Sequence, residues 1–307
     1  MPGRREDRLI DICLLGNGGM MPLPGRPLSA CLIRVNGETI LWDCGEGTQV
    51  NWRASGWPFR STGAILLSHL HADHVAGLPG ILFQIAHSGR REPVTIYGPP
   101  RTHEVVQHLF SIVGRVPYEL GVAELEGGES FDLPGGVQAS TILAQHHVPC
   151  LAYRLNVART RRFNAERARE LDIPIEQWSR LQAGEPADGV NPNDVLGPPR
   201  RGLSVSLVTD TAIFDELTPF VADSDLLVCE AMYAVDALTE RARKRGHMTA
   251  RQAARLAADA DVRSLWLTHL SPAVEDPSAV SMIASQEYPD AVVGIPGLMT
   301  TLRFDDE

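Results

Sequence analysis

The sequence predicts an α/β fold, and three observations carry that prediction. Apolar runs of strand length alternate with stretches of helical apolar spacing. Three of the apolar runs end in Ser or Thr followed by a metal-competent side chain: "AILLSH" in His69, "VSLVTD" in Asp210 and "LWLTH" in His269. No internal repeat of about 20 to 50 residues runs through the chain, which argues against solenoids and propellers. At 307 residues the chain buries a large core, and we read residues 1–307 as one domain.

In chain order, "LIDICLLG" (9–16), "ACLIRVNG" (30–37), "ETILWDCG" (38–45), "GAILLSH" (63–69) and "VTIYGPP" (94–100) read as strands. Gly and Asn turns such as "GNGG" and "VNGE" separate these strands, so the N-terminal half suits a sheet meander. The spacing turns helical over 79–87, 101–113 and 249–260, the last reading "TARQAARLAADA". Composition shifts over 154–202, which is polar, arginine-rich and closed by Pro and Gly; this reads as an inserted arm without a core of its own.

The five cysteines (Cys13, Cys31, Cys44, Cys150, Cys229) form no C-x-x-C pair and read as reduced thiols. The first ten residues are charged and no 18-residue apolar stretch occurs, so the sequence predicts a cytoplasmic protein without signal peptide or membrane span. A formal charge of -10 argues against general affinity for nucleic acid, because such affinity comes from Lys and Arg neutralising phosphates. Any polyanion must meet local positive charge. In the arm, Arg154, Arg159, Arg161, Arg162, Arg167 and Arg169 supply it, unless Glu166 and Glu170 pair with them locally.

"LLSHLHADHVAGLPG" (66–80) crowds His69, His71, Asp73 and His74 into six positions. On an extended segment His69 and His71 point the same way, while Asp73 and His74 fall in the following turn. One cation cannot use all four and keep an open position. The segment therefore predicts two adjacent ions, one on His69 and His71 and the other on Asp73 and His74, with donors suited to Zn²⁺ and compatible with Mn²⁺ or Fe²⁺. Both ions need further ligands. Asp210 is the best bridging candidate because a carboxylate offers two oxygens, and His269 ends a similar run. In "AQHHVPC" only one of His146 and His147 can face the site, and the residues alone do not choose. His247, in "GHMTARQAA", reads either as a proton donor or as an ordinary turn residue before a helix.

"SHLHADHVAGLPG" resembles the H-x-H-x-D-H motif of the metallo-β-lactamase superfamily. With "YGPP" it is similar to that superfamily's ribonuclease Z family, the tRNA 3′ processing endonucleases. "LLGNGG", "DCGEGTQ", "HHVPCLAYR", "DVLGPPRRG", "TDT", "CEAMY", "GHMTARQAA" and "THLS" agree in order, so the resemblance spans nearly the whole chain. It implies an αββα sandwich with an inserted arginine-rich arm and a dinuclear zinc site. The first ion would take His69, His71, His146 and Asp210, and the second Asp73, His74, Asp210 and His269. His146 is selected because the family's ligand stands three residues before the proline, here Pro149.

The resemblance further implies that His247, oriented by Glu230, assists proton transfer, that Asp43 supports the ligands, and that Asp73 joins His247 and Glu230 in catalysis. The implied substrate is precursor tRNA, and the implied assembly a homodimer. The chain departs from the family in four places: "DIPIEQWSRL" keeps Pro174 but lacks the arm's Gly-Pro element, "PLPGRPL" keeps Arg26 but lacks a Lys and an Asn, "CEAM" replaces "HEAT", and Ala273 stands where an Arg is common. Each loss removes an expected RNA contact and no metal ligand. Hydrolysis of a small or cyclic phosphodiester is accordingly the alternative reading.

Overall fold

The first three apolar runs form an antiparallel meander, β1 (Ile10–Gly16), β2 (Ala30–Val35) and β3 (Glu38–Trp42). This computed structural model describes residues 9–305. Residues 1–8 and 306–307, included in the one-domain reading and in the charged N-terminus, lie outside the described residues.

The meander stops at β3. Strands β4 (Thr62–Leu66), β5 (Val94–Gly98) and β6 (Leu120–Glu124) continue the sheet in parallel. Helical crossovers impose that direction: α1 (Thr48–Ser55) before β4, α2 (Ala72–Val75) and α3 (Leu78–His87) before β5, and α4 (Thr102–Phe110) before β6. The N-terminal half is thus a meander only in part.

A second sheet begins with β7 (Ser130–Leu133), β8 (Val137–Leu143), β9 (Leu151–Arg159) and β10 (Arg200–Val208), all antiparallel neighbours. Between β9 and β10 lie α5 (Ala165–Glu170) and α6 (Ile175–Gln182). The chain then runs through α7 (Leu217–Val221), β11 (Leu226–Glu230), α8 (Thr239–Arg245), α9 (Ala250–Asp259), β12 (Leu265–Thr268), α10 (Pro277–Ala284) and β13 (Val292–Val293). Strands β10 to β13 are parallel, so their C-terminal ends share one edge. Finally β14 (Met299–Leu302) crosses back to pair with β1.

Period-two alternation assigns each strand two apolar faces. Ile12, Leu14, Trp42 and Leu66 of the first sheet meet Tyr153, Leu155, Val205 and Val228 of the second in the inter-sheet core. Their alternates, such as Cys13, Leu41 and Ile65, pack with Trp52, Leu78 and Ile81 from the helical layer. On the far side Leu227, Cys229 and Leu267 pack with Ala253, Ala254, Ala257 and Val280 of α9 and α10. Each fully buried Leu or Ile contributes about 1.5–3 kcal/mol. The result is the αββα sandwich implied by the sequence.

The arm is shorter than the sequence suggests and differently built. Residues 154–159 and 200–202 belong to β9 and β10, with Arg159 opposite Arg200, so the segment leaving the sheet is 160–199. That segment has a small core of its own, formed by Ala168, Ile173, Leu181, Ala187 and Val195 with Phe163 and Trp178 against them. The arginines of residues 154–169 largely serve this architecture. The Arg154 guanidinium donates to the carbonyls of Phe220 and Ala222, and Arg161 to those of Leu196 and Gly197. Arg159 donates to the Asp305 carbonyl, Arg167 pairs with Glu170 at 2.8 Å, and Arg169 stands over the Trp178 ring. All five cysteines are free and buried. Among the described residues no helix is long and apolar enough to cross a membrane.

Candidate metal centre

Parallel pairing of β3 with β4 brings the two segments that follow them together. Asp43, the first residue after β3, is fully buried and accepts hydrogen bonds from the Ser68 N–H (2.7 Å) and the Ser68 hydroxyl (2.8 Å). Its Oδ2 also lies 2.7 Å from His74 Nδ1. A His74 Nδ1–H donated to Asp43 fixes the tautomer and turns the Nε2 lone pair towards the centre. Burial depresses His74, but Asp43 and Asp210 outweigh it and raise it well above its ordinary value. Asp43→Asn is expected to weaken divalent-metal affinity about 10- to 100-fold, measured by chelator competition. Unchanged affinity would remove Asp43 from this supporting role.

His69 follows the buried β4 run, and its Nε2 lies 2.9 Å from His71 Nδ1 at the mouth of the centre. Asp73 and His74 occupy the short helix α2. Asp73 Oδ2 accepts the Met20 backbone N–H at 2.7 Å, and His74 Nε2 lies 3.2 Å from His269 Nε2. From the second sheet come Asp210 after β10, His269 after β12, and His146 in the β8–β9 connection. His147 faces solvent.

Asp210 presents one oxygen to each histidine group. Its Oδ2 lies 3.6 Å from His69 Nε2 and 3.8 Å from His146 Nε2, while its Oδ1 lies 3.2 Å from His269 Nε2 and 3.5 Å from His74 Nε2. Donor atoms of His69, His71, His146 and Asp210 all lie within 4.8 Å of one another, as do those of Asp73, His74 and His269. Asp43, Asp210 and His269 each adopt left-handed backbone, with φ of 54°, 44° and 54°. That conformation is uncommon for residues other than glycine and clusters at functional sites.

The chemistry of the donors fits divalent cations. Burial holds His69 and His146 below their ordinary values, which keeps them neutral, the ligating form. Burial pushes Asp73 and Asp210 up, but the surrounding histidines outweigh it and hold both below the usual carboxylate range. His146 is the sharpest test. Its Nδ1 lies 3.0 Å from the Gly246 carbonyl, whereas its buried Nε2 has no hydrogen-bond partner among the described residues. A buried lone pair without a partner is costly, and a cation beside Asp210 would satisfy it. Gly246 must be glycine here: its φ is +66°, and a Cβ would stand 2.8 Å from His146 Nδ1.

Glu230 ends β11 fully buried, and its Oε1 accepts the Thr211 N–H at 2.7 Å. Both of its oxygens approach His247 Nδ1, at 3.1 and 3.2 Å. Burial lowers the His247 imidazole, but the Glu230 carboxylate prevails and lifts it to about 9, so the ring is protonated near neutrality. His247 Nδ1 lies 3.9 Å from Asp210 Oδ2, and Thr249 caps α9 two residues on. His247 is therefore part of the cluster and not a bystander in the turn.

Four contributors escaped the sequence reading: Ser68, the Met20 N–H, the Thr211 N–H and the Gly246 carbonyl. Ser68 had a signal, since it is the hydroxyl residue preceding His69, and Thr209 in the same position donates to Asp210 Oδ1. The backbone groups carry no side-chain code. Arg26, retained in the loop expected to touch RNA, donates to the Val274 and Pro272 carbonyls, tying that loop to the one after His269.

Histidines and aspartates gathered from both sheets at one rim of an αββα sandwich define a metal-dependent hydrolase of the metallo-β-lactamase class. The metallo-beta-lactamase fold protein YhfI from Bacillus subtilis shares the architecture, with a TM-score of 0.69 at 20% identity over 96% of this chain and 100% of that one. So does the short form of human tRNase Z, with a TM-score of 0.67 at 22% identity over 94% and 98%. Within this class the chain belongs to the ribonuclease Z family. It is 40% identical over 303 residues to ribonuclease Z of Clostridium kluyveri, covering 97% of this chain and 100% of the relative. Ribonuclease Z of Clostridium tetani is 40% identical over 312 residues with the same coverage. The profile of the family described as Anti-Pycsar protein Apyc1 matches residues 10–115, which include the H-x-H-x-D-H motif.

Proposed function

We propose that the chain is a tRNA 3′ processing endonuclease, which hydrolyses one phosphodiester of precursor tRNA to leave a 3′-hydroxyl on the tRNA body and a 5′-phosphate on the trailer. The observation that carries this reading is full-length likeness to ribonuclease Z combined with the two donor groups that meet at Asp210. In this reading His69, His71, His146 and Asp210 would hold one zinc ion, and Asp73, His74, Asp210 and His269 a second. When bound, such ions supply Lewis-acid stabilisation of charge on the phosphoryl group and acidify water.

The chain's own residues do the rest. Asp43 and Gly246 orient His74 and His146, and the Met20 N–H fixes the Asp73 carboxylate. Glu230 engages Nδ1 of His247, which leaves Nε2–H to protonate the departing 3′ oxygen. The reading takes the enzyme to be cytoplasmic, consistent with five unpaired cysteines, and homodimeric as the family resemblance implies.

One observation favours the small- or cyclic-phosphodiester alternative: the arm's arginines mostly bind the protein's own atoms. Parallel assays on precursor tRNA and on bis(p-nitrophenyl) phosphate test the choice. The expected result is a single cut in the precursor with a 3′-hydroxyl on the body, at far higher kcat/KM than on the small ester. Hydrolysis of the small ester with the precursor left intact would sink the endonuclease reading.

A further inference from the structure

We propose that the exposed face of α8, through Arg241 and Arg245, binds the RNA sugar-phosphate backbone beside the scissile bond. The inference rests on the endonuclease reading for its ligand and on the local geometry for its place. A chain of net charge -10 needs a local cationic surface to approach RNA, and the arginines of β9 and the arm largely engage intramolecular partners.

Helix α8 reads "TERARKR", placing Arg241, Arg243, Lys244 and Arg245 within five residues, all exposed, with Glu240 its only acid. Glu240 is shared by Arg243 Nη2 at 2.9 Å and Lys244 Nζ at 3.5 Å. Arg245 has no acidic partner among the described residues, and Arg241 lies over the Tyr233 ring at 6.0 Å without one. Glu240 offsets at most one of the four charges, and Arg241 and Arg245 are the two on α8 that no carboxylate touches among the described residues.

Both are anchored beside the centre. Buried Ala242, on the side of α8 adjoining the two arginines, packs the helix against the body. Arg245 directly precedes Gly246, whose carbonyl meets His146, and stands two residues before His247. The ring under Arg241 is itself 6.3 Å, centroid to centroid, from the His247 imidazole. A substrate phosphodiester held at the centre would run its neighbouring phosphates past this surface. Guanidinium groups suit such contacts because they donate bidentately to phosphate oxygens.

The test uses the full chain and 3′-processed tRNA, which has no trailer to remove, with fluorescence anisotropy over a salt series. For R241Q/R245Q the expected result is affinity about tenfold or more weaker and a log Kd against log salt slope shallower by about 2, one unit for each lost phosphate contact. R241K/R245K is expected to restore the slope, which a variant that merely unfolds could not do. Wild-type affinity and slope in R241Q/R245Q would overturn the proposal. Trailer removal from precursor tRNA by the wild type is scored separately: binding without cleavage ends the endonuclease reading alone, and absence of wild-type binding to tRNA overturns both.

Discussion

Asp210→Asn is expected to lower kcat/KM on precursor tRNA by about 10³-fold or more and to release bound metal from the purified chain. Losing a group that only orients a ligand costs about 10- to 100-fold. Asp210 instead offers Oδ2 to the His69 and His146 side and Oδ1 to the His74 and His269 side. The substitution removes the charge and one oxygen donor, and so weakens both groups at once. Asparagine nearly matches aspartate in size and tolerates the left-handed backbone at φ 44°, so the local fold survives the change. Elemental analysis of protein purified without added metal, read beside the rate, checks the result. Full metal content with a near-native rate would show that the two groups do not share this carboxylate.

His247→Ala is expected to reduce kcat by about 10²- to 10⁴-fold while metal content stays at the wild-type level. The Nδ1 contacts to Glu230 leave Nε2 free to deliver a proton, and that carboxylate, outweighing burial, keeps the ring charged. A leaving group that needs no proton supplies the discriminating measurement. On bis(p-nitrophenyl) phosphate, whose departing phenolate is already stable, the loss should shrink towards unity. Equal losses on both substrates would identify His247 as a structural residue.

Much of the candidate centre was legible in the sequence because three of its candidate ligands occupy one grammatical position, after an apolar strand and a hydroxyl residue. His69, Asp210 and His269 are found this way, and parallel pairing of β10, β11 and β12 places the last two on a common edge. The choice between His146 and His147 was not legible from the residues, because adjacent side chains on an extended segment differ only in which way the segment faces. Here the Gly246 carbonyl, 100 residues away in sequence, engages His146. Glu230 was visible only by resemblance, since "LLVCE" reads as an apolar strand with a charged end and its partners come from Thr211 and His247.

The arm's boundary was misread for a different reason. Arg154, Leu155, Asn156 and Val157 alternate half-buried with buried, which is a strand pattern, but the arginine content of the whole stretch masks that period. The N-terminal meander was overextended because the turn signals between strands do not reveal strand direction. Only the intervening helices force the parallel pairing beyond β3.

The donors arise from both layers of the sandwich: His69, His71, Asp73 and His74 follow a strand of one sheet, and His146, Asp210 and His269 leave strands of the other. Sliding one layer past its partner by a single residue spacing would carry the two halves of the centre out of reach of each other. The interdigitated side chains between the sheets, Trp42 and Tyr153 among them, therefore act as the alignment pins of a two-part mould, and their fit sets the tolerance to which the donor atoms are held.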